Sequence, residues 1–341
     1  MEKKYAVGID IGGGSTTIGI VDRTGSIVSI NNNQGDRIET QAGKYVNLND
    51  FAGKICEVIK KLAGNEKVEG GIDAIAGIGI GAPSGNHNLR IEWGIFGIDQ
   101  MIKAKMQIPV FLDNDANVAT VGEWRYGDAK NKNNFIMITL GTGLGSGIVS
   151  EGKLIRGQHK MSGEFGHIVI RRSEGRKCGC GRYGCTEAYA SAKGMARTAI
   201  EFLQVCKNEN SNLKRLYDER KNKGIGNLKK ENEIYKEELL ISSKDVYEAA
   251  IEGDKVALQV FEYTGKILGE ALADFAALLD PEVIYLFGGL AYAEEYILDP
   301  VRKHMNAYLI NALKGKIAVK ISSLNANASA AILGASALVW E

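Results

Sequence analysis

Residues 5–21 read YAVGIDIGGGSTTIGIV, and residues 135–149 read FIMITLGTGLGSGIV. Each stretch is an apolar run, a turn rich in glycine and hydroxyl side chains, and a second apolar run, which is the pattern of a β-hairpin. The repetition predicts an internal duplication whose two turns face each other across a cleft. We call residues 12–15 the first glycine turn and residues 141–143 the second glycine turn.

Both glycine turns are suited to binding phosphate. Backbone N–H groups and Ser or Thr hydroxyls of such a turn can be directed at a phosphate group. Asp10, at the end of the first predicted strand, could orient a magnesium ion through water. One glycine-rich turn is weak evidence, because such turns are common in hairpins without a ligand. Two of them, half a chain apart, are more specific.

A short cysteine-rich segment predicts a metal site. Cys178, Cys180 and Cys185 lie close together in the sequence, and His167 precedes them. Three thiolates and one imidazole form a complete tetrahedral ligand set for zinc. The carboxylates of Glu164 and Glu187 lie at either end of this segment.

In two further stretches, polar residues or glycines follow a predicted strand directly. Asn114 and Asp115 follow the strand 108–112 and precede a helix, so they are either the helix N-cap or a general base at the edge of a sheet. Gly288 and Gly289 follow the strand 283–287, where glycine would let a flat group such as an adenine base approach the backbone.

The helical pattern continues through the second half of the chain. Apolar spacing predicts helices over 49–62, from Glu187 to about Leu203, two over 244–279, one over 294–309, and an alanine-rich, closely packed helix over 328–339. Residues 207–243 are rich in Lys, Asn and Glu, which is typical of a solvated, partly helical insertion.

Composition excludes several classes of protein. The chain has 341 residues with 42 Lys and Arg against 41 Asp and Glu, so its near-zero net charge gives no footprint for nucleic acid or an anionic membrane. We expect neither a membrane span nor a signal peptide, because no long apolar run exists and the first strand begins at Tyr5. Five cysteines are too few for a disulfide framework, which predicts a cytoplasmic protein.

These motifs resemble the ROK family of repressors, open reading frames and sugar kinases, and within it the bacterial glucokinase-like members. The resemblance rests on Asp10–Gly13, Asn114–Asn117, Leu140–Gly143, Gly163–His167 and Cys178–Glu187. It implies an α/β, two-domain actin-like ATPase fold, a duplicated ribonuclease H-like fold with an inter-domain cleft and a zinc knot. We expect a small N-terminal domain over 1–116, with the helix at about 327–341 packing back on it, and a large domain over 117–326.

The resemblance also implies an ATP-dependent hexose kinase that converts glucose to glucose 6-phosphate and forms a homodimer. Asp115 matches the catalytic base. The other matches are the sugar-binding residues Asn114, Glu164, His167 and Glu187; the nucleotide residues Asp10 (on the Mg²⁺ side), Gly12, Gly13, Thr142, Gly143, Gly288 and Gly289; and the structural Zn²⁺ ligands His167, Cys178, Cys180 and Cys185.

Of two departures from the family pattern, the first concerns nucleotide binding and the second leaves the substrate open. Gly14 stands where the family usually has threonine, although Ser15 and Thr16 could supply a hydroxyl. The loop Trp93–Gly97 lacks the asparagine that reaches the sugar in glucokinase-like members. Alternatives are therefore a kinase for N-acetylmannosamine, N-acetylglucosamine, allose or fructose, a sugar-sensing regulator without a DNA-binding segment, or a sugar-binding protein without catalytic activity.

Overall fold

A computed structural model of the chain describes residues 2–12, 14–31, 38–40, 48–82, 97–173, 175–206, 210–224, 240–325 and 329–341. The chain forms two compact units. The first unit contains residues 1–132 and 326–341, and the second contains residues 133–325. Each unit is built on one mixed β-sheet that is covered by helices.

The sheet of the first unit has the strand order β3-β2-β1-β5-β6, with β4 also paired to β2. The strands are β1 Tyr5–Ile11, β2 Ser15–Asp22, β3 Ile27–Ile30, β4 Ile38–Glu39, β5 Ile75–Gly81 and β6 Val110–Asp113. The pairs β1–β2 and β2–β3 are antiparallel, whereas β1–β5 and β5–β6 are parallel. Asp10 is in register with Gly81, and Gly81 with Asp113, so both acids lie at the same edge of the sheet.

The sheet of the second unit repeats this topology, with the order β11-β10-β7-β8-β9. The strands are β7 Phe135–Leu140, β8 Leu144–Ser150, β9 Lys153–Leu154, β10 Val283–Phe287 and β11 Ala318–Ile321. The pairs β7–β8 and β8–β9 are antiparallel, whereas β7–β10 and β10–β11 are parallel. The sheets therefore have the same strand plan, as the duplicated sequence pattern predicts.

The described α-helices lie between and after these strands, and five of them follow β9 in succession. They are α1 Leu48–Ala63, α2 Ile98–Met106, α3 Asp115–Tyr126, α4 Glu187–Ala190, α5 Ala192–Val205, α6 Asn212–Asn222, α7 Ser243–Ile251, α8 Lys255–Leu279, α9 Glu295–Tyr308 and α10 Ala330–Ala337. Most agree with the helical spacing of the sequence. The predicted helix 187–203 is instead two helices, because the Ser191 hydroxyl accepts the Gly194 N–H at 3.0 Å and starts α5 afresh. Of the insertion 207–243, residues 207–209 and 225–239 lie outside the described residues.

The alanine-rich helix α10 packs closely on the first unit. A Cβ added at Gly8 or Gly79 would collide with the backbone of Ile332 or Ala335, so glycine in β1 and β5 permits this approach. Gly334 approaches α3 in the same way, since its Cβ would lie 2.5 Å from the Val118 carbonyl oxygen. Helix α3 therefore belongs to the first unit, which ends at Lys132 rather than at the predicted residue 116.

Among the described residues, no helix combines the length and the apolar character needed to cross a membrane.

Candidate active site and metal cluster

Two acidic residues interact electrostatically at the carboxyl edge of the first sheet. Burial, and in addition the negative charge of Asp115, raises the pKa of the Asp10 carboxyl to about 6. Asp10 is the next-to-last residue of β1, and Asp115 begins α3 just after β6. A carboxylate that is destabilised by burial and by a like charge gains from a nearby cation. This edge therefore has the chemistry of a divalent-cation site.

The structure separates the two roles that the sequence left open at Asn114 and Asp115. Asn114 is the N-cap of α3, and its Oδ1 accepts the Asn117 N–H at 2.7 Å. Asp115 is the first helical residue, and its Oδ1 accepts the Ala116 N–H at 2.9 Å. Asp115 is exposed. Because Asn114 performs the capping, the Asp115 carboxylate is accessible to a ligand.

The protein around Asp115 makes its carboxylate a stronger base. Loss of hydration raises the pKa of this carboxyl, while the hydrogen bond from Ala116 opposes the rise. Although neighbouring atoms remove part of its hydration, the residue keeps enough accessible surface for a substrate to reach it. A general base with a raised pKa and an open face can accept a proton from a hydroxyl group.

The first glycine turn is fixed mainly by backbone contacts within its own sheet. The Gly12 N–H donates to the Ser15 carbonyl at 3.0 Å, and the Thr40 N–H donates to the Gly14 carbonyl at 3.2 Å. The buried hydroxyls of Thr16 and Thr40 are hydrogen-bonded at 2.8 Å. Gly13 lies outside the described residues, as do residues 93–96 of the loop Trp93–Gly97.

The second glycine turn is tied to residues 187–192, which comprise α4, Ser191 and the first residue of α5. We call these residues the α4–α5 segment. The turn closes through the Gly141 N–H, which donates to the Gly143 carbonyl at 3.0 Å. The Leu144 N–H donates to Glu187 Oε2 at 2.9 Å. The Ala192 N–H donates to the Gly141 carbonyl at 2.9 Å. Thr142, at the tip of the turn, is exposed.

The two glycines after β10, Gly288 and Gly289, differ in how closely other atoms approach them. Gly288 has a φ of 104°, and a Cβ there would lie 2.8 Å from the Leu140 carbonyl oxygen. Its N–H donates to Asn325 Oδ1 at 2.7 Å. At Gly289, an added Cβ would meet none of the described atoms within 4 Å. Gly288 is therefore needed for the path of the chain, whereas Gly289 leaves space beside the backbone.

The predicted metal ligands come together in the second unit. The ligand atoms of His167, Cys178, Cys180 and Cys185 all lie within 4.8 Å of one another. Cys178 Sγ is 3.6 Å from His167 Nδ1, and Cys180 Sγ is 3.7 Å from Cys185 Sγ. A tetrahedron with Zn–S bonds of about 2.3 Å has S–S edges of about 3.8 Å. The cluster could therefore hold a metal ion of this size.

Without a cation, burial keeps two thiols of this cluster protonated. Burial raises the pKa of the Cys178 and Cys185 thiols. A bound divalent ion reverses this preference, because thiolates coordinate it directly.

Two carboxylates, those of Glu164 and Glu187, lie beside the cluster. His167 Nε2 is 3.8 Å from Glu164 Oε2, while Nδ1 of the same ring faces Cys178. Glu187 Oε1 is 3.7 Å from Cys178 Sγ. Glu164 and His167 are partly open to solvent, with side chains 40% and 31% exposed. The structure thus brings Glu164, His167 and Glu187 together beside the predicted zinc ligands.

Sequence reasoning missed several supporting residues. Arg176, just before the cysteines, donates to the carbonyls of Ala188 and Gly194 at 3.1 Å each. Asn325 accepts the Gly288 N–H, and Ala192 donates its N–H to the second glycine turn. Their contacts span long stretches of chain, so no local pattern marks them. Only Ser191 carried a local signal, as a possible helix N-cap.

Two sheets with the same strand plan, each bearing a glycine turn, define an α/β protein of the actin-like ATPase fold. The ROK family model matches residues 6–341. The chain belongs to the ROK family.

Several relatives cover the chain at moderate identity. The glucokinase of Halalkalibacterium halodurans is 32% identical over 350 residues, covering 100% of this chain and 96% of that protein. The crystal structure of a ROK family glucokinase from Streptomyces griseus, in complex with glucose and AMPPNP, matches with a TM-score of 0.71 at 29% identity and covers 98% of both chains. The xylose repressor of Bacillus subtilis is 27% identical over 73% of this chain and 55% of that protein.

Proposed function

We propose that this protein is an ATP:hexose phosphotransferase that converts glucose to glucose 6-phosphate. The observation that carries the proposal is the accessible Asp115 carboxylate at the start of α3, whose pKa is raised and whose charge acts on Asp10. The full-length similarity to a glucokinase and to a structure with bound glucose and a nucleotide supports the same reaction.

Asp115 is the general base of the proposed reaction. Its carboxylate accepts the proton of the sugar hydroxyl as the oxygen attacks the γ-phosphorus of ATP. The bond from this phosphorus to the bridging oxygen of ADP breaks as the new bond to the sugar oxygen forms. Because the carboxylate must be ionised to act, the rate falls as the pH drops through its raised pKa.

The remaining predicted residues bind the two substrates. Asn114, Glu164, His167 and Glu187 offer amide, carboxylate and imidazole groups that suit vicinal hydroxyls. Gly12, Gly13, Thr142 and Gly143 bind phosphates, and Gly288 and Gly289 lie beside the adenosine. Asp10 would help to hold a magnesium ion, which would neutralise charge on the phosphates.

The cysteine cluster holds a structural zinc ion in this proposal. His167, Cys178, Cys180 and Cys185 supply four ligands, so no position remains open for a reactive water. With Nδ1 of His167 directed at the cluster, Nε2 is free of it and can serve a sugar hydroxyl. Such thiolates persist in a reducing compartment, which supports a cytoplasmic location. We also propose a homodimer, which light scattering of the purified protein tests.

A coupled assay for ADP release over a panel of sugars tests the function. We expect glucose to be phosphorylated, and Asp115→Asn to lower kcat by about 10²–10⁴-fold, the usual contribution of a general base. Asp99→Asn, in the first turn of α2, is the matched control and should behave like the unaltered protein.

Other results would change the assignment. Preference for N-acetylmannosamine, N-acetylglucosamine, allose or fructose would replace glucose as the substrate while keeping the reaction. Tight sugar binding with no phosphorylation of any sugar would refute the enzyme and favour a regulator, a role to which the relative named a xylose repressor points.

A further inference from the structure

The α4–α5 segment, residues 187–192, holds the second glycine turn through its first and its last residue. Glu187, the first residue of α4, accepts the Leu144 N–H with Oε2 at 2.9 Å. Ala192, the first residue of α5, donates its N–H to the Gly141 carbonyl at 2.9 Å. One contact lies just after the turn and the other at its first residue, so together they restrain the whole turn.

Close packing makes the first of these contacts specific. A Cβ added at Gly143 would lie 2.6 Å from Glu187 Oε2. The carboxylate therefore lies directly against the backbone of the turn, in space that any other residue at 143 would fill. Glu187 Oε1 meanwhile lies 3.7 Å from Cys178 Sγ, so this side chain extends between the cysteine cluster and the turn.

The α4–α5 segment is itself anchored by a buried arginine. The Arg176 side chain is only 9% exposed, and its guanidinium lies 4.6 Å above the centre of the Tyr189 ring. It donates to the carbonyls of Ala188 and Gly194, which lie on either side of the break between the helices. A planar guanidinium with several donors in a fixed geometry fastens both helices at once.

We propose that Glu187 and the Ala192 N–H are positioning groups that preorganise the second glycine turn for the nucleotide phosphates. This inference rests on the proposed function and adds a nucleotide-side task to Glu187, which is otherwise a sugar-binding residue. A turn that is already ordered loses less conformational entropy when phosphate binds, so affinity for the nucleotide rises. The tethers thus set nucleotide affinity independently of the sugar.

Ala192→Pro tests the backbone tether, because it removes the N–H and directs its ring Cδ at the Gly141 carbonyl, which must then move away. Proline has no N–H and is favoured at the first position of a helix, and the preceding Ser191 has the extended backbone (φ −81°, ψ 170°) that proline requires. We expect the Kd for ADP, measured by calorimetry without sugar, to rise by at least about threefold to tenfold, which is the effect of losing one hydrogen bond. Ala192→Ser keeps the N–H and should bind ADP normally.

The Glu187 variants test the side-chain tether even if Ala192→Pro does not fold. Glu187→Gln keeps an oxygen that can accept the Leu144 N–H, whereas Glu187→Ala does not. We expect Glu187→Ala to bind ADP about threefold to tenfold more weakly than Glu187→Gln, with equal zinc content in both proteins. In steady-state assays, Ala192→Pro should raise the KM for ATP and leave the KM for the sugar unchanged.

The outcomes separate this inference from the proposed function. Normal ADP binding by a folded Ala192→Pro, or equal ADP binding by Glu187→Ala and Glu187→Gln, would overturn the inference. If the unaltered protein binds ADP but phosphorylates no sugar, only the proposed function is refuted. The Kd values for ADP of the Ala192 and Glu187 variants still test the inference. If the unaltered protein does not bind ADP, both are overturned.

Discussion

The two glycine turns follow equivalent strands of two sheets with the same plan, yet different contacts hold them. Thr40, beside β4, holds the first turn through its backbone N–H, and its hydroxyl supports Thr16. A carboxylate and a helix N-terminus, both beyond the cysteine cluster in the chain, hold the second turn. The strands also differ near their ends, where β1 carries Asp10 and β7 carries Thr139.

This difference shows what the duplication has kept and what it has changed. Strand order and pairing are the same in both units, because they follow from the repeated hairpin and the parallel strands after it. The electrostatics differ, since the first turn lies beside a pair of acids and the second beside a predicted metal site. Perturbing the metal or the acids should therefore affect one turn and spare the other.

The largest effect should come from removing the zinc ion that we propose for the cysteine cluster. Structural zinc sites contribute on the order of 10 kcal/mol of apparent binding free energy, so a strong chelator should lower the melting temperature markedly. Because Glu187 contacts both Cys178 and the second turn, the Leu144 N–H should then exchange with deuterium more than about tenfold faster. The Gly12 N–H, in the first turn, should exchange at its original rate.

Adding zinc back provides the control for this experiment and should restore both the melting temperature and the protection of Leu144. Equal acceleration of exchange in the two turns would show that the second turn does not depend specifically on the cluster.

The next effect concerns Asp10 in β1, which has Thr139 as its counterpart in β7 of the second sheet. The pKa of Asp10 is about 6, against an ordinary value of 3.8. Between these values the folded protein binds more protons at Asp10 than the unfolded chain does, so the stability that Asp10 contributes is highest below about pH 4 and is lost as the pH rises through 6. At pH 7 the buried charge costs about 2–3 kcal/mol.

Asp10→Asn removes this cost. Urea unfolding in the absence of divalent ions should show the variant more stable by about 2–3 kcal/mol at pH 7, with the gain vanishing near pH 4. A variant that is less stable at pH 7, or whose gain is the same at both pH values, would contradict the assigned pKa.

Much of this architecture could be predicted from the sequence. Alternating apolar runs and glycine turns predicted both hairpins, and the spacing of the cysteines with His167 predicted the cluster. These features are local, or they repeat along the chain, so pattern alone reveals them. The N-cap ambiguity at Asn114 needed the structure, because both Asn and Asp favour that position.

The supports of the second turn could not be predicted. The sequence pattern over 187–203 is apolar with helical spacing, which hid the break at Ser191 and with it the bond from the Ala192 N–H to the Gly141 carbonyl. The contacts of Arg176 and Asn325 join residues that are distant in the chain or depend on the exact path of a loop. The need for glycine at 288 likewise comes from the nearby backbone of Leu140 rather than from its own neighbours in sequence.

The smallest predicted effect compares one glycine in each turn. In Gly143→Ala the new Cβ would lie 2.6 Å from Glu187 Oε2, so the carboxylate must move away and the Leu144 N–H loses its acceptor. At Gly14 the same change meets none of the described atoms within 4 Å. We expect Gly143→Ala to raise the KM for ATP about tenfold, and Gly14→Ala to change it less than about twofold.

The double variant Gly143→Ala with Glu187→Ala identifies the cause of this effect. If collision with the carboxylate is what harms the turn, removing the carboxylate relieves the collision, and the double variant should be no worse than Glu187→Ala alone. Such non-additivity is expected for two residues in direct contact. If the two effects simply add, the methyl group at 143 acts on the nucleotide itself, and the difference between the two turns would lie in their phosphate contacts rather than in their supports.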